Sequence, residues 1–178
     1  GTVSLLDTLS SSHLDARVHN VTLVNKAGGK LVASGAVNNS LITVEAGSTI
    51  SGSLALFGNS SLTMGAVNTG LSSLRLEDSS SATLNAAGGK LANSIQMNDD
   101  SKVTISAASA NVADSINLNV TPLGGLSVNA DATVGSYQQT HGSVSGAGDL
   151  HLTGTSTILG GSLSGTGKLI NEVGGTLA

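Results

Sequence analysis

The chain has no cysteine and no tryptophan, and only one residue each of proline, phenylalanine and tyrosine among its 178. Without cysteine there are no disulfide staples, no thiol nucleophile and no cysteine-based zinc site. With so few aromatics the chain lacks the bulky side chains from which compact enzymes build large cores and pockets. Charge is scarce as well: 10% of residues are Asp, Glu, Lys or Arg, against about 25% in ordinary soluble domains. The net charge is −4 and no basic cluster is present, so nucleic acid is not an expected partner. No apolar run approaches the ~20 residues a membrane helix requires. No signal peptide is visible behind Gly1, and the sequence reads as a piece of something longer.

What the chain does have is 24 glycines, abundant Ser, Thr, Ala and Asn, and regularly placed Leu, Val and Ile. Five apolar-Thr-apolar triplets recur: Val21-Thr22-Leu23, Ile42-Thr43-Val44, Leu62-Thr63-Met64, Ala82-Thr83-Leu84 and Val103-Thr104-Ile105, in steps of 21, 20, 20 and 21 residues. A unit this short cannot close a core of its own and must stack on its copies, which predicts a solenoid. A second column interleaves with the first: Leu54-Ala55-Leu56, Leu74-Arg75-Leu76, Ile95-Gln96-Met97 and Ile116-Asn117-Leu118. Successive side chains of a strand point to opposite faces. The apolar members are therefore expected inside, and Thr, Arg75, Gln96 and Asn117 outside.

Gly, Asn, Asp and Ser fill the corners, as in Phe57-Gly58-Asn59-Ser60 and Asn98-Asp99-Asp100-Ser101; these residues accept tight turns and bond their own backbone. The expected fold is all-β: a right-handed parallel β-helix, a three-sided solenoid with about 20–21 residues per rung. At a ~4.8 Å rise, eight or nine rungs make a rod about 40 Å long. Ala27-Gly28-Gly29-Lys30-Leu31 recurs as Ala87-Gly88-Gly89-Lys90-Leu91. This lacks the spacing of a phosphate loop and reads as a glycine corner. Three regions are expected: 1–20, an irregular or truncated first rung; 21–122, regular rungs; and 123–178, Gly-rich rungs holding 13 of the 24 glycines. The step of 24 from Leu126 to Leu150 suggests that rung size wobbles there.

Within the last region, Gly165-Thr166-Gly167-Lys168-Leu169-Ile170-Asn171-Glu172-Val173-Gly174-Gly175-Thr176-Leu177 resembles the repeat of Gram-negative autotransporter passenger domains. Ser145-Gly146-Ala147-Gly148-Asp149-Leu150-His151-Leu152 is similar to the same motif. The Val-Asn, Ala-Gly-Gly and Ser-Gly-Ser phrases of residues 25–60 resemble self-associating adhesins of that family. The resemblance implies a β-helix displayed at the bacterial cell surface, acting in self-association, biofilm formation or attachment to host surfaces and glycans. It also implies a membrane-embedded C-terminal barrel, which this sequence does not include.

Candidate chemistry is thin. Thr22, Thr43, Thr63, Thr83 and Thr104 form the most regular polar column. Ice binding would need a second matched column, and the flanking positions do not supply one, so a structural ladder is the better reading. Asp78 and Asp99 fall at equivalent corners of adjacent rungs and are the candidate calcium ligands, with Arg75 nearby; calcium takes six to eight oxygens. The histidines His13, His19, His141 and His151 are dispersed, and no Gly-x-Ser-x-Gly elbow occurs. No catalytic residue and no cofactor are expected. The leading function is extended-face adhesion through Arg75, Gln96, Asn117 and the Thr column. A polysaccharide-acting β-helix enzyme is the alternative, and an ice-binding protein a more remote one.

Overall fold

The computed structural model describes the backbone of residues 2–5, 8–10, 14–67 and 69–178, with side chains described from Asn20 onward except at 68 and 69. His13 and the side chain of His19 lie outside the described residues. The described chain consists of strands and turns. All strand pairs are parallel, and each strand lies against its counterpart one turn on. The result is a parallel β-solenoid of about eight turns.

The first sheet has nine strands: Thr2–Leu5, Thr22–Asn25, Leu41–Val44, Ser61–Met64, Ser81–Leu84, Lys102–Ile105, Gly125–Val128, Ser143–Ser145 and Ser162–Leu163. Its pairings give successive turn lengths of 20, 19, 20, 20, 21, 23, 18 and 19 residues. The second sheet carries longer strands, among them Lys30–Asn38, Thr49–Phe57, Ser94–Asp99, Ser109–Val120 and Ala132–His141. Each of the longest covers two sides of the turn. Ala132–His141 pairs through its first half with Leu150–Leu152 and through its second half with Thr155–Ile158. At the other end, Thr8–Ser10 and Leu14–His19 lie on the two halves of Lys30–Asn38. The turn is therefore three-sided, and the third side lies between the Thr column and the second column of strands. Gly52 marks the bend: its φ is +93°, and a Cβ there would sit 1.9 Å from the Ala33 carbonyl oxygen of the adjacent turn.

The core is one continuous cluster along the axis. Leu62, Leu84, Ile105 and Val128 from the first sheet meet Leu56, Leu76, Met97 and Leu118 from the second, all essentially buried. Each such side chain contributes about 1.5–3 kcal/mol by leaving water, and small aliphatic residues suffice because each layer is one residue thick. A buried serine column, Ser40, Ser60, Ser80 and Ser101, closes the corner between the two sheets. Ser60 Oγ donates to the Phe57 carbonyl at 2.7 Å and accepts the Ser40 N–H at 3.1 Å.

Two sequence expectations on register are corrected. Thr22 does not lie beside Thr43. It lies beside Leu41, and Val24 lies beside Thr43. The inward pair of the first full turn is Leu23 and Asn25, not Val21 and Leu23; Asn25 occupies the buried position that Val44, Met64 and Leu84 fill later. The 24-residue step also compared unlike columns. Leu126 pairs with Val144 in the first sheet, whereas Leu150 pairs with Ala132 in the second. The true irregularity is the 23-residue turn from Lys102 to Gly125: its closing corner at 121–124 is two residues longer than the one before, and Ser109–Val120 carries two residues more than Ala132–His141 between Ser109 and Ala113.

The glycine motifs of the last region stack on one another. A Cβ on Gly165 would lie 2.1 Å from the Gly146 carbonyl oxygen, and one on Gly167 would lie 2.0 Å from that of Gly148. Backbone packs directly on backbone at this corner, so glycine is required there.

Candidate functional site

The Thr ladder of the first sheet is Thr43-Thr63-Thr83-Thr104 in exact lateral register, continued by Ser127 and Ser145. All four threonines are half-buried between their neighbours. Beside them run Leu41, Ser61, Ser81 and Lys102, so the ladder has no matched threonine column next to it.

The second half of the second sheet presents a different surface. Its outward positions form two aligned columns. One is entirely hydroxyl: Ser53, Ser73, Ser94, Ser115, Ser136 and Thr155. The other is Ala55, Arg75, Gln96, Asn117, Gln138 and Thr157. The expected face residues Arg75, Gln96 and Asn117 are thus brought together on adjacent turns. Between the columns lies a shallow depression of about 480 Å³, from Ser94 and Gln96 to Thr155 and Thr157. Asn117 Nδ2 donates to Gln138 Oε1 at 3.4 Å, a long contact that leaves most of both amides open to solvent.

Arg75 closes one end. Its Nε donates to Glu77 Oε1, which also accepts Asn98 Nδ2 at 2.7 Å. The guanidinium is therefore neutralised by a carboxylate two residues along the chain, and the four turns of the depression beyond it carry no charged side chain on either column.

Gln138, Ser136, Thr155 and Thr157 were missed from sequence. The signal was the 21-residue step from Asn117 to Gln138. It was hidden because the inward neighbours change from aliphatic to Tyr137 and Gln139. Both are buried, and they satisfy each other: Tyr137 Oη donates to Gln139 Oε1 at 3.0 Å, and Gln139 Nε2 donates to the Gly142 carbonyl at 3.3 Å. Burial raises the Tyr137 phenol far above its ordinary pKa, so it stays neutral and protonated.

Asp78 and Asp99 meet at the corner beside this face, but their carboxylates serve the backbone. Asp78 Oδ2 accepts the Gly58 N–H at 2.8 Å, and Asp99 Oδ2 accepts the Asp78 N–H at 3.2 Å. Among the described residues no group of three or more His, Cys, Asp or Glu is arranged to hold a metal ion. His151 pairs through Nδ1 with Glu172 of the next turn, and His141 is exposed at the end of its strand. Lys90, from the second glycine corner, binds Asp114 at 2.6 Å and holds that carboxyl below its ordinary pKa.

These features define a parallel β-solenoid with one continuous hydroxyl–amide face. No protein-family profile, curated protein or solved structure matches the chain.

Proposed function

We propose that this chain is a structural and adhesive segment of a bacterial surface-displayed protein of the autotransporter passenger type. It would mediate self-association, biofilm formation or attachment to host glycans through an extended face. The observation that carries the reading is the paired hydroxyl and amide columns from Ser94 and Gln96 to Thr155 and Thr157, uninterrupted over four turns and uncharged. Side chains of this kind both donate and accept hydrogen bonds. They match either the hydroxyls of a neutral glycan or the same columns on a second copy. Each contact is weak, but a rigid rod repeats it every turn, so affinities combine through multivalency.

The stacked Gly146/Gly165 and Gly148/Gly167 pairs support the passenger resemblance, because the repeat motif coincides with one structural corner. The absence of charge favours contact over acid–base chemistry, which needs a positioned titrating group at the reacting bond.

The test is surface display of the chain on a non-clumping host. Asn117→Glu and Gln138→Glu together place two like charges on adjacent turns of the face. Loss of clumping and of attachment to glycan-coated plates, with display level unchanged, is the expected result. Undiminished clumping and attachment would sink the reading for this segment.

A further inference from the structure

The corner between the second and first sheets changes length along the rod. Two residues join Asp99 to Lys102, and four join Val120 to Gly125. Then a single glycine joins His141 to Ser143, and three residues join Ile158 to Ser162. The longest corner, Thr121-Pro122-Leu123-Gly124, therefore overhangs the shortest. The step forms an open pocket of about 560 Å³, within the range of about 300–1,000 Å³ usual for small-molecule sites. Gly142 and Gly161, at φ +83° and +96°, form its floor. A Cβ on Gly142 would lie 2.2 Å from Val120 Cγ2, so the floor can approach Val120 only because it is glycine.

The lining has two parts. Val120 and the Pro122 ring give an apolar wall. Asn119, His141, Ser162 and Asp99 give a hydrogen-bonding rim. Among the described residues no intramolecular hydrogen bond engages the side chains of Asn119, His141 or Ser162, and the Asp78 N–H takes only one oxygen of Asp99. Asn119 lies two residues beyond Asn117 on the same outward side of the strand, so the pocket opens beside the polar face.

We infer that this pocket seats one neutral pyranose ring, the end or a branch of a glycan lying along the adjacent face. The inference rests on the adhesive reading above. A pyranose has one C–H face for the Val120–Pro122 wall and an edge of hydroxyls for the amide, carboxylate and hydroxyl of the rim. An anionic ligand meets no Lys or Arg in the lining and faces Asp99. A purely aromatic group leaves the rim without partners, which is unfavourable once water is excluded.

The test uses the full chain, ¹⁵N-labelled and titrated with methyl glycosides of glucose, galactose, mannose and N-acetylglucosamine, read by amide chemical shifts. At least one sugar gives saturable shifts at residues 119–121, 141–142 and 161–162. Asn119→Ala with His141→Ala, both exposed positions, weakens that binding about tenfold while the remaining spectrum stays native. No saturable shift at these amides with any of the four sugars overturns the inference. So does binding unchanged in the double variant, or tighter binding of phenol than of every sugar. If no sugar binds but the charged face variant still abolishes clumping, the pocket inference fails and the adhesive reading stands. If a sugar binds but clumping and attachment survive the charged face, the adhesive reading fails and the pocket remains a sugar site.

Discussion

Asp78 donates its backbone N–H to the carboxylate of Asp99, one turn further along the rod, at 3.2 Å. Both residues have positive φ, as do Asn39 and Gly58 on preceding turns of the same corner. The corner thus carries a left-handed residue on these successive turns, whereas the longer corner at 121–124 has none. Asp and Asn meet the need because they tolerate that conformation and supply an acceptor for a neighbouring turn: Asp78 and Asp99 for the turn behind, Asn39 for the turn ahead. Asp99→Ala loses both properties and should cost about 1–3 kcal/mol, from backbone strain and one lost hydrogen bond. Asp99→Asn should cost less than about 1 kcal/mol, because amide and carboxylate both accept. Urea midpoints of the two variants check the order; equal losses would remove the ladder as the cause.

The buried serine column offers an internal contrast. Ser60 Oγ is engaged at both ends, accepting the Ser40 N–H and donating to the Phe57 carbonyl. Ser101 is as deeply buried, yet its Oγ has no partner. Ser60→Ala removes the acceptor of the Ser40 N–H and the donor to the Phe57 carbonyl and should destabilise the chain by about 1–3 kcal/mol. Ser101→Ala removes a buried hydroxyl that has no partner and should be neutral or stabilising by up to about 1 kcal/mol. Thermal unfolding shows a loss for Ser60→Ala and none for Ser101→Ala if the column is held by its hydrogen bonds rather than by side-chain size.

The register error at Thr22 shows where sequence reading stops. A strand slipped by one residue turns every side chain to the other face, so the apolar pattern guards against it. A slip of two residues preserves inside and outside. Thr22 and Val24 both point outward, and the column seemed to begin at Thr22 because it is a threonine. The corner at Asn39-Ser40 is one residue shorter than that at Gly58-Asn59-Ser60, and nothing in the hydrophobic period records this. The one clue was Asn25, which fills a buried site and donates Nδ2 to the Thr49 carbonyl at 2.7 Å. The outward columns from Ala55 to Asn117 were legible because Leu74, Ile95 and Ile116 mark their inner side. Their continuation at Gln138 was not, because Tyr137 and Gln139 are polar residues buried by mutual hydrogen bonding. The corner pocket was illegible for another reason: it arises from a difference in length between two loops, which no single motif contains.

The bend at Gly52 tests the three-sided cross-section. Gly52→Ala places a Cβ 1.9 Å from the Ala33 carbonyl oxygen at a φ of +93°. Backbone cannot yield there without breaking the pairing of Lys30–Asn38 with Thr49–Phe57. The expected loss exceeds about 3 kcal/mol, from steric overlap together with left-handed strain. Hydrogen exchange should show early opening at residues 30–57 while residues 94–120 stay protected, since solenoid turns are stabilised mainly by their neighbours. Gly28→Ala is the control: its φ is also positive, at +85°, but a Cβ there meets nothing within 4 Å. It should cost about 1–2 kcal/mol, from strain alone.

Lys90 and Asp114 give the chain a small acid-side dependence with a fixed sign. The Lys90 ammonium hydrogen-bonds Asp114 and lowers its pKa from the ordinary carboxylate value, with desolvation opposing the effect and Asn111 adding to it. A carboxyl whose folded pKa is depressed binds fewer protons in the folded chain than in the unfolded one. Its contribution is therefore complete above the unfolded value and is lost as pH falls through the folded value. Lys90→Met should move the Asp114 titration upward toward the ordinary value, followed by carboxyl ¹³C shifts. Because Asp114 is largely exposed, the accompanying stability change should be small and should shrink further with added salt. A titration of Asp114 unmoved by Lys90→Met would show that the ammonium is not what holds the carboxylate.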